Sequence, residues 1–226
     1  MQKNKRLAPS IFSSRYVALT RLRDATMKLI KELAAQEKPD LIDFGCGDMP
    51  YRSAILPYVN QYIGVDLAMN PLAQYHVDFD SKTDLPNACA DIVLSNQVLE
   101  HVDNPQGYLQ EAWRLLKPGG TLILSTHGYW YYHPTPYDYW RWTSAGLQRV
   151  IQENGFEIKE FTGLLGLAAS GVQLFQDALI NKTYRFLHYP LAFILQGLIA
   201  LTDKLHSQDQ RNKDAAIYVV FAKKAL

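Results

Sequence analysis

The chain has only two cysteines, Cys46 and Cys89, and their placement builds neither a disulfide framework nor a metal-ligand cluster. A reducing compartment is expected, and no metal is called for. Nor is there an excess of charge: 23 basic against 22 acidic side chains leave a formal net charge of +1. No basic field exists to neutralise a phosphate backbone, so nucleic acid is not an expected partner. The opening MQKNKRLAPS is basic but runs into no apolar stretch of signal-peptide length, and the expected location is cytoplasmic. The most apolar window, Leu191–Leu201, is eleven residues long and contains Gln196, short of the roughly 20 a spanning helix requires. Internal repeats and low-complexity tracts are lacking as well.

What remains is an ordinary globular composition, 48% hydrophobic and 20% charged over 226 residues. A chain of this size buries roughly 70–75% of its unfolded surface, which suits one domain over residues 1–226. Apolar residues recur at helical spacing from Tyr16 to Ala35, and Pro39 closes that helix. Short apolar strands are expected at Asp40–Phe44, Tyr62–Val65, Tyr75–Phe79, Asp91–Ser95, Thr121–Ser125, Phe156–Phe161 and Ala216–Ala222. Between them fall a short helix within Tyr51–Val59, one at Gly107–Leu116 stopped by Lys117-Pro118-Gly119-Gly120, and one at Ser144–Asn154 with Gly155 at its end.

Strands alternating with helices imply an α/β fold, a doubly wound and largely parallel sheet covered on both faces. Ligands bind such sheets beyond the carboxyl ends of the strands. There stands Asp43-Phe44-Gly45-Cys46-Gly47-Asp48, where two glycines let the backbone turn and approach a ligand. Asp66 ends the second strand about twenty residues later, placed to accept hydrogen bonds from ribose hydroxyls. A dinucleotide fingerprint would need a third glycine where Pro50 stands, which disfavours pyrophosphate on a helix terminus.

These residues, with Ile63-Gly64-Val65-Asp66, Asp84-Leu85-Pro86, Asp91 to Val102 and Leu115 to Gly120, resemble the class I S-adenosylmethionine-dependent methyltransferases of the small single-domain type. The resemblance spans Asp43 to Gly120 in order. It implies a Rossmann-like sheet of seven strands, six parallel and the last antiparallel, with S-adenosyl-L-methionine as cofactor. It further implies Asp43, Gly45, Cys46 and Gly47 around the methionine part, Asp66 at the ribose and Leu67 on an adenine face. Asp80 or Asp78 would meet the adenine amino group, and Asn96 and Gln97 the sulfonium end. Asp48-Met49-Pro50 departs from the family, where another glycine is common.

After the fifth strand runs the aromatic stretch His127 to Thr143. Its rings give wide apolar faces at low entropy cost, suited to stacking on an acceptor. His127, His133 and Asp138 are candidate proton acceptors, and Arg141 a clamp for an anionic group or a partner of Asp138. The alternative is structural: Tyr139, Trp140 and Trp142 as a satellite core, Asp138 and Arg141 as an ion pair, His101 as a helix-start residue. The HPTPYDYWRWT arrangement resembles bacterial methyltransferases tied to cell-envelope saccharides, which implies an O or N nucleophile of a small-molecule or glycoconjugate acceptor.

An insertion at 163–213 carries apolar segments Leu164–Ile180 and Tyr184–Leu205, the second interrupted at Pro190. It is too long for a plain loop. A lid, a homodimer surface and a peripheral membrane contact through 164–205 are all open, the last supported by Lys182, Arg185 and Lys204. Two other functions also stay open: a nucleotide-dependent oxidoreductase of similar sheet, and a catalytically silent cofactor-binding module.

Overall fold

The computed structural model describes residues 4–77, 81–180 and 182–225. Its centre is one sheet of seven strands: β1 Asp40–Phe44, β2 Gln61–Leu67, β3 Tyr75–Val77, β4 Ala90–Asn96, β5 Leu116–His127, β6 Phe156–Gly166 and β7 Ala215–Lys224, in the order β3-β2-β1-β4-β5-β7-β6. Only β7 runs against the rest, pairing antiparallel with both β5 and β6. Six parallel strands and an antiparallel last one were expected. The strand order reverses between β1 and β4, where a doubly wound sheet opens its ligand crevice.

Side-chain alternation sorts each strand onto two cores. Ile42, Val93, Leu122 and Val220 face α3, Pro105–Leu115, and α4, Ser144–Glu153. Leu41, Ile92, Ile123 and Val219 face α1, Tyr16–Leu33, and the short α2, Arg52–Ile55. With both faces covered, the strands read as near-continuous apolar runs.

Four boundaries differ from expectation. Asn104 caps α3 by accepting from the Gly107 N–H at 3.1 Å, so the helix starts with Pro105 at its first position. Lys117-Pro118-Gly119-Gly120 ends that helix without delaying the strand. Pairing with β4 begins at Leu116 and resumes at Thr121, and Lys117 reaches Asp91 at 2.9 Å. The sixth strand extends to Gly166 because β7 continues to pair with it as far as Ala215. Pro190 falls in the first turn of a helix, where a missing N–H costs nothing, and does not interrupt one.

The insertion folds as α5, Leu167–Ile180, α6, His188–Thr202, and a short α7, Gln208–Lys213. Turns at both ends of α6 lengthen its helical run to Arg185–Leu205, 21 residues, enough by length and composition to cross a membrane. That exceeds the eleven-residue window seen in the sequence. The inward face of these helices mixes apolar Ala169, Ala192, Leu195 and Ile199 with polar side chains. Gln173, Gln176, Asp177 and Gln196 point inward, and Gln173, Gln176 and Gln196 all donate to the Ser14 carbonyl. Phe175, Phe186, Tyr189, Phe193, Ile194 and Leu201 point outward, each more than half exposed.

Candidate active site

At the carboxyl edge of the sheet lies a cavity of about 460 Å³ that joins the glycine loop after β1 to the aromatic stretch after β5. Its volume falls within the ~300–1,000 Å³ of small-molecule sites. Gly45 has φ +79°, and a Cβ there would lie 2.5 Å from Val98; any other residue would be strained and blocked. The Gly45 and Cys46 N–H groups donate to the Val65 carbonyl at 2.8 and 3.0 Å, folding the loop back onto β2. Gly47, φ +51°, donates its N–H to Asp66 Oδ2 at 2.8 Å. Asn70 Nδ2 donates to the same oxygen at 2.7 Å, and the Leu67 N–H to Oδ1.

Asp43 is buried against this loop and accepts from the Tyr62 hydroxyl. Burial pushes its carboxyl up to about 7, against the pull of the Tyr62 bond. Cys46 is buried, and burial with the nearby Asp43 raises its thiol to about 12, so it serves as packing and is no nucleophile. Asn96 and Gln97 line the cavity where β4 ends. Ser125 Oγ donates to Asn96 Oδ1 at 2.9 Å, while Asn96 Nδ2 is buried without a hydrogen-bond partner among the described residues. Asp78 and Asp80 lie outside the described residues; Val77 and Ser81, on either side, line the cavity.

The opposite wall is built on a buried carboxylate. Glu100, in the turn Leu99–His101 after β4, is 0% exposed, and its Oε2 accepts from Thr126 Oγ1 at 2.8 Å. Its Oε1 stands 3.3 Å from His127 Nε2. Burial raises the Glu100 carboxyl to about 7 and holds His127 well below the usual imidazole range. His127 stacks on Trp130 with ring centres 4.5 Å apart, and His133 stands edge-on to it at 4.9 Å. His101, His127 and His133 all line the cavity.

Asp138 and Arg141 do not. The Asp138 side chain is fully buried, taking Arg141 at 2.6 and 2.7 Å and the His133 N–H at 2.8 Å. Burial works to raise its carboxyl, but these bonds outweigh it and hold the group at about 2. Arg141 also donates to the carbonyls of Trp130, Tyr131 and Trp140. Neither can serve as proton acceptor or anion clamp, because both are spent on closing the loop. The ion-pair alternative is the one observed. Trp142 packs on the core, whereas Tyr137 and Tyr139 line the cavity.

Sequence reasoning missed Glu100 and Arg15. Glu100 lies 27 residues from His127, yet β4 and β5 pair in parallel at Asn96 and Ser125, so residues just past both strand ends must meet. Arg15 carries no local signal. Its guanidinium covers Trp130 and Tyr131 at 5.0 and 4.8 Å, pairs with Asp177 on α5, and lines the cavity. The helical insertion thus abuts the site.

A methyltransferase-domain family model matches residues 16–160. A probable S-adenosylmethionine-dependent methyltransferase of Mycolicibacterium smegmatis is 24% identical over 140 residues, 55% of this chain and 54% of that protein. A ubiquinone biosynthesis O-methyltransferase of Cereibacter sphaeroides is 35% identical over 99 residues, 38% of this chain and 40% of its own length. The chain therefore spans about half or less of these curated relatives. The crystal structure of a Burkholderia thailandensis 1,6-didemethyltoxoflavin-N1-methyltransferase with bound S-adenosylhomocysteine superposes with a TM-score of 0.57 at 16% identity, covering 91% of this chain and 78% of that one.

Proposed function

The chain belongs to the S-adenosylmethionine-dependent methyltransferase family, and from that premise we propose that it methylates an O or N nucleophile of a small-molecule or glycoconjugate acceptor held against the aromatic wall. The observation that carries this reading is the single cavity shared by the glycine loop and the imidazole cluster. Its cofactor half suits the cofactor: a loop free of side chains at Gly45 and Gly47, carboxylates at Asp43 and Asp66, and the unpartnered Asn96 donor. When bound, the cofactor supplies an electrophilic methyl on sulfonium sulfur.

The protein's own part is mainly alignment, which is worth about 7–11 kcal/mol where a general base gives about 10²–10⁴-fold. Tyr137 and Tyr139 line the acceptor half, while Trp130, stacked on His127 and covered by Arg15, backs that wall. His133 is the candidate proton acceptor. Its Nδ1 faces the Tyr131 carbonyl at 3.1 Å and Asp138 Oδ2 at 3.3 Å, which keeps the proton there and leaves Nε2 free.

The outward faces of α5 and α6 support a lipid surface as the acceptor's source, on the cytoplasmic side of a membrane. Between Asp177 and Asp203, both buried and ion-paired, the described residues include no acidic side chain. The charges flanking the apolar face are Lys182, Arg185 and Lys204. A two-fold contact between copies would set these cations against each other; an anionic bilayer attracts them.

Labelled S-adenosylmethionine incubated with cell-envelope extracts tests the activity. Label should enter an extractable lipid or glycoconjugate, and its absence from every fraction would leave the silent module. In flotation with vesicles of anionic lipid, the protein should rise with the lipid, and Phe186→Ser with Phe193→Ser should remain below. A wild-type protein that ignores vesicles and sediments as a dimer would favour the second copy.

A further inference from the structure

We propose that Glu100, His127 and His133 hold a divalent transition-metal ion in the acceptor half of the cavity. One donor atom from each lies within 4.8 Å of the others. The 3.3 Å between Glu100 Oε1 and His127 Nε2 is the edge expected for two donors about 2.0–2.1 Å from a tetrahedral ion, roughly 3.3 Å.

Three features point to an ion and not to a merely packed cluster. Glu100 is fully buried, yet its Oε1 has no hydrogen-bond partner among the described residues; a buried carboxylate without a counter-charge is costly. The nearby guanidinium of Arg141 is committed to Asp138 and three carbonyls, leaving that oxygen without a cation. The remaining atoms of Glu100 and His133 are already fixed as an outer shell fixes metal ligands, whereas His127 Nδ1 is buried without a hydrogen-bond partner among the described residues. Thr126 holds Glu100 Oε2, and the Tyr131 carbonyl and Asp138 hold His133 Nδ1 more closely than Arg141 does at 3.4 Å. His101 repeats the pattern, its Nδ1 on the Tyr137 carbonyl and its Nε2 3.9 Å from Glu100 Oε1, within reach as a fourth ligand.

Two or three imidazoles and one carboxylate suit zinc, iron(II) or cobalt(II) over magnesium or calcium, which prefer all-oxygen shells. The histidines line the cavity, so an open coordination position there faces the acceptor. The ion's use in catalysis rests on the methyl-transfer reading above. It holds an acceptor hydroxyl and favours its ionised form, as a bound zinc lowers the pKa of its water to about 7. With His133 ligating the ion it no longer accepts the proton, so the hydroxyl proton leaves to solvent and an oxygen lone pair forms the new O–C bond. The electrons of the breaking C–S bond return to sulfur as a neutral thioether. An oxygen acceptor is thereby favoured over nitrogen.

The test uses the untagged full chain, stripped with a chelator and titrated with cobalt(II), then with zinc. One ion per chain, visible d–d absorption of low-symmetry cobalt, and displacement by zinc are expected. His133→Ala, at a half-buried position that tolerates truncation, should weaken binding at least tenfold, and Glu100→Gln further, with circular dichroism unchanged for His133→Ala. No uptake by the wild type, or equal uptake by His133→Ala, would overturn the site. S-adenosylhomocysteine binding is measured on the same stripped protein. Retained binding without metal uptake sinks this inference alone, whereas metal uptake without it sinks the methyl-transfer reading and leaves the metal site standing.

Discussion

Asp43 should make cofactor affinity depend on pH. The carboxyl is buried with the Tyr62 hydroxyl as its bonded neighbour, and burial puts its pKa at about 7; among the described residues no cation pairs with it. S-adenosylhomocysteine carries an ammonium at its amino-acid end, and an ionised Asp43 is the group on the glycine loop suited to receive it. If only the ionised form binds well, the competent fraction is about one-tenth at pH 6 and nine-tenths at pH 8, so affinity rises about tenfold over that range. Titration calorimetry at pH 6, 7 and 8, in buffers of different ionisation enthalpy, reads both the affinity and the roughly half proton released at pH 7. Asp43→Asn should flatten the profile at the weaker limit. In the ligand-free protein the raised pKa has a second consequence. Asp43 contributes stability fully below its unfolded pKa of 3.8 and loses it as pH climbs through about 7. Asp43→Asn should therefore gain on the wild type at pH 8, by something on the order of 4 kcal/mol at most. A wild-type affinity that is flat from pH 6 to 8 would refute the assignment of Asp43 to the ammonium.

Asp66→Ala should weaken S-adenosylhomocysteine binding by about 1–3 kcal/mol, because a carboxylate that now organises Gly47, Leu67 and Asn70 is lost together with the ribose contacts expected of it; unchanged affinity would mean the ribose lies elsewhere. Arg15→Ala leaves Asp177 buried without its partner and should cost about 3–5 kcal/mol in urea unfolding, a loss that Arg15→Ala with Asp177→Asn should partly restore. Arg141→Ala opens the aromatic loop and should raise KM for the acceptor while leaving S-adenosylhomocysteine affinity within about twofold; a parallel loss of cofactor affinity would show that the loop also supports the cofactor half.

The glycine-loop edge of the cavity was legible because it is local. Gly45, Gly47 and Asp66 sit at strand ends that period and composition mark on their own, and a backbone that must turn there admits little else. Lys117 to Gly120 was misjudged as a full stop: proline and glycines end a helix, but β4 supplies a pairing partner at once, and a long-range ladder outweighs local turn chemistry. Pro190 was judged by the same local rule and failed for a related reason, since a proline is tolerated in a first turn and the sequence alone does not say where that turn begins. Asp138 looked catalytic as a residue type. Only the fold shows that Arg141 and the His133 N–H consume it. Glu100 was hidden by its separation from His127, although the adjacency of β4 and β5 would have brought the two together once the strand order was written down.

The central claim is most directly tested by titration calorimetry of the purified chain with S-adenosylhomocysteine, with NAD as the control ligand. Saturable one-to-one binding of S-adenosylhomocysteine and none of NAD is the expected result. Binding of NAD alone would transfer the glycine loop to the oxidoreductase reading, and binding of neither would contradict the account at its base.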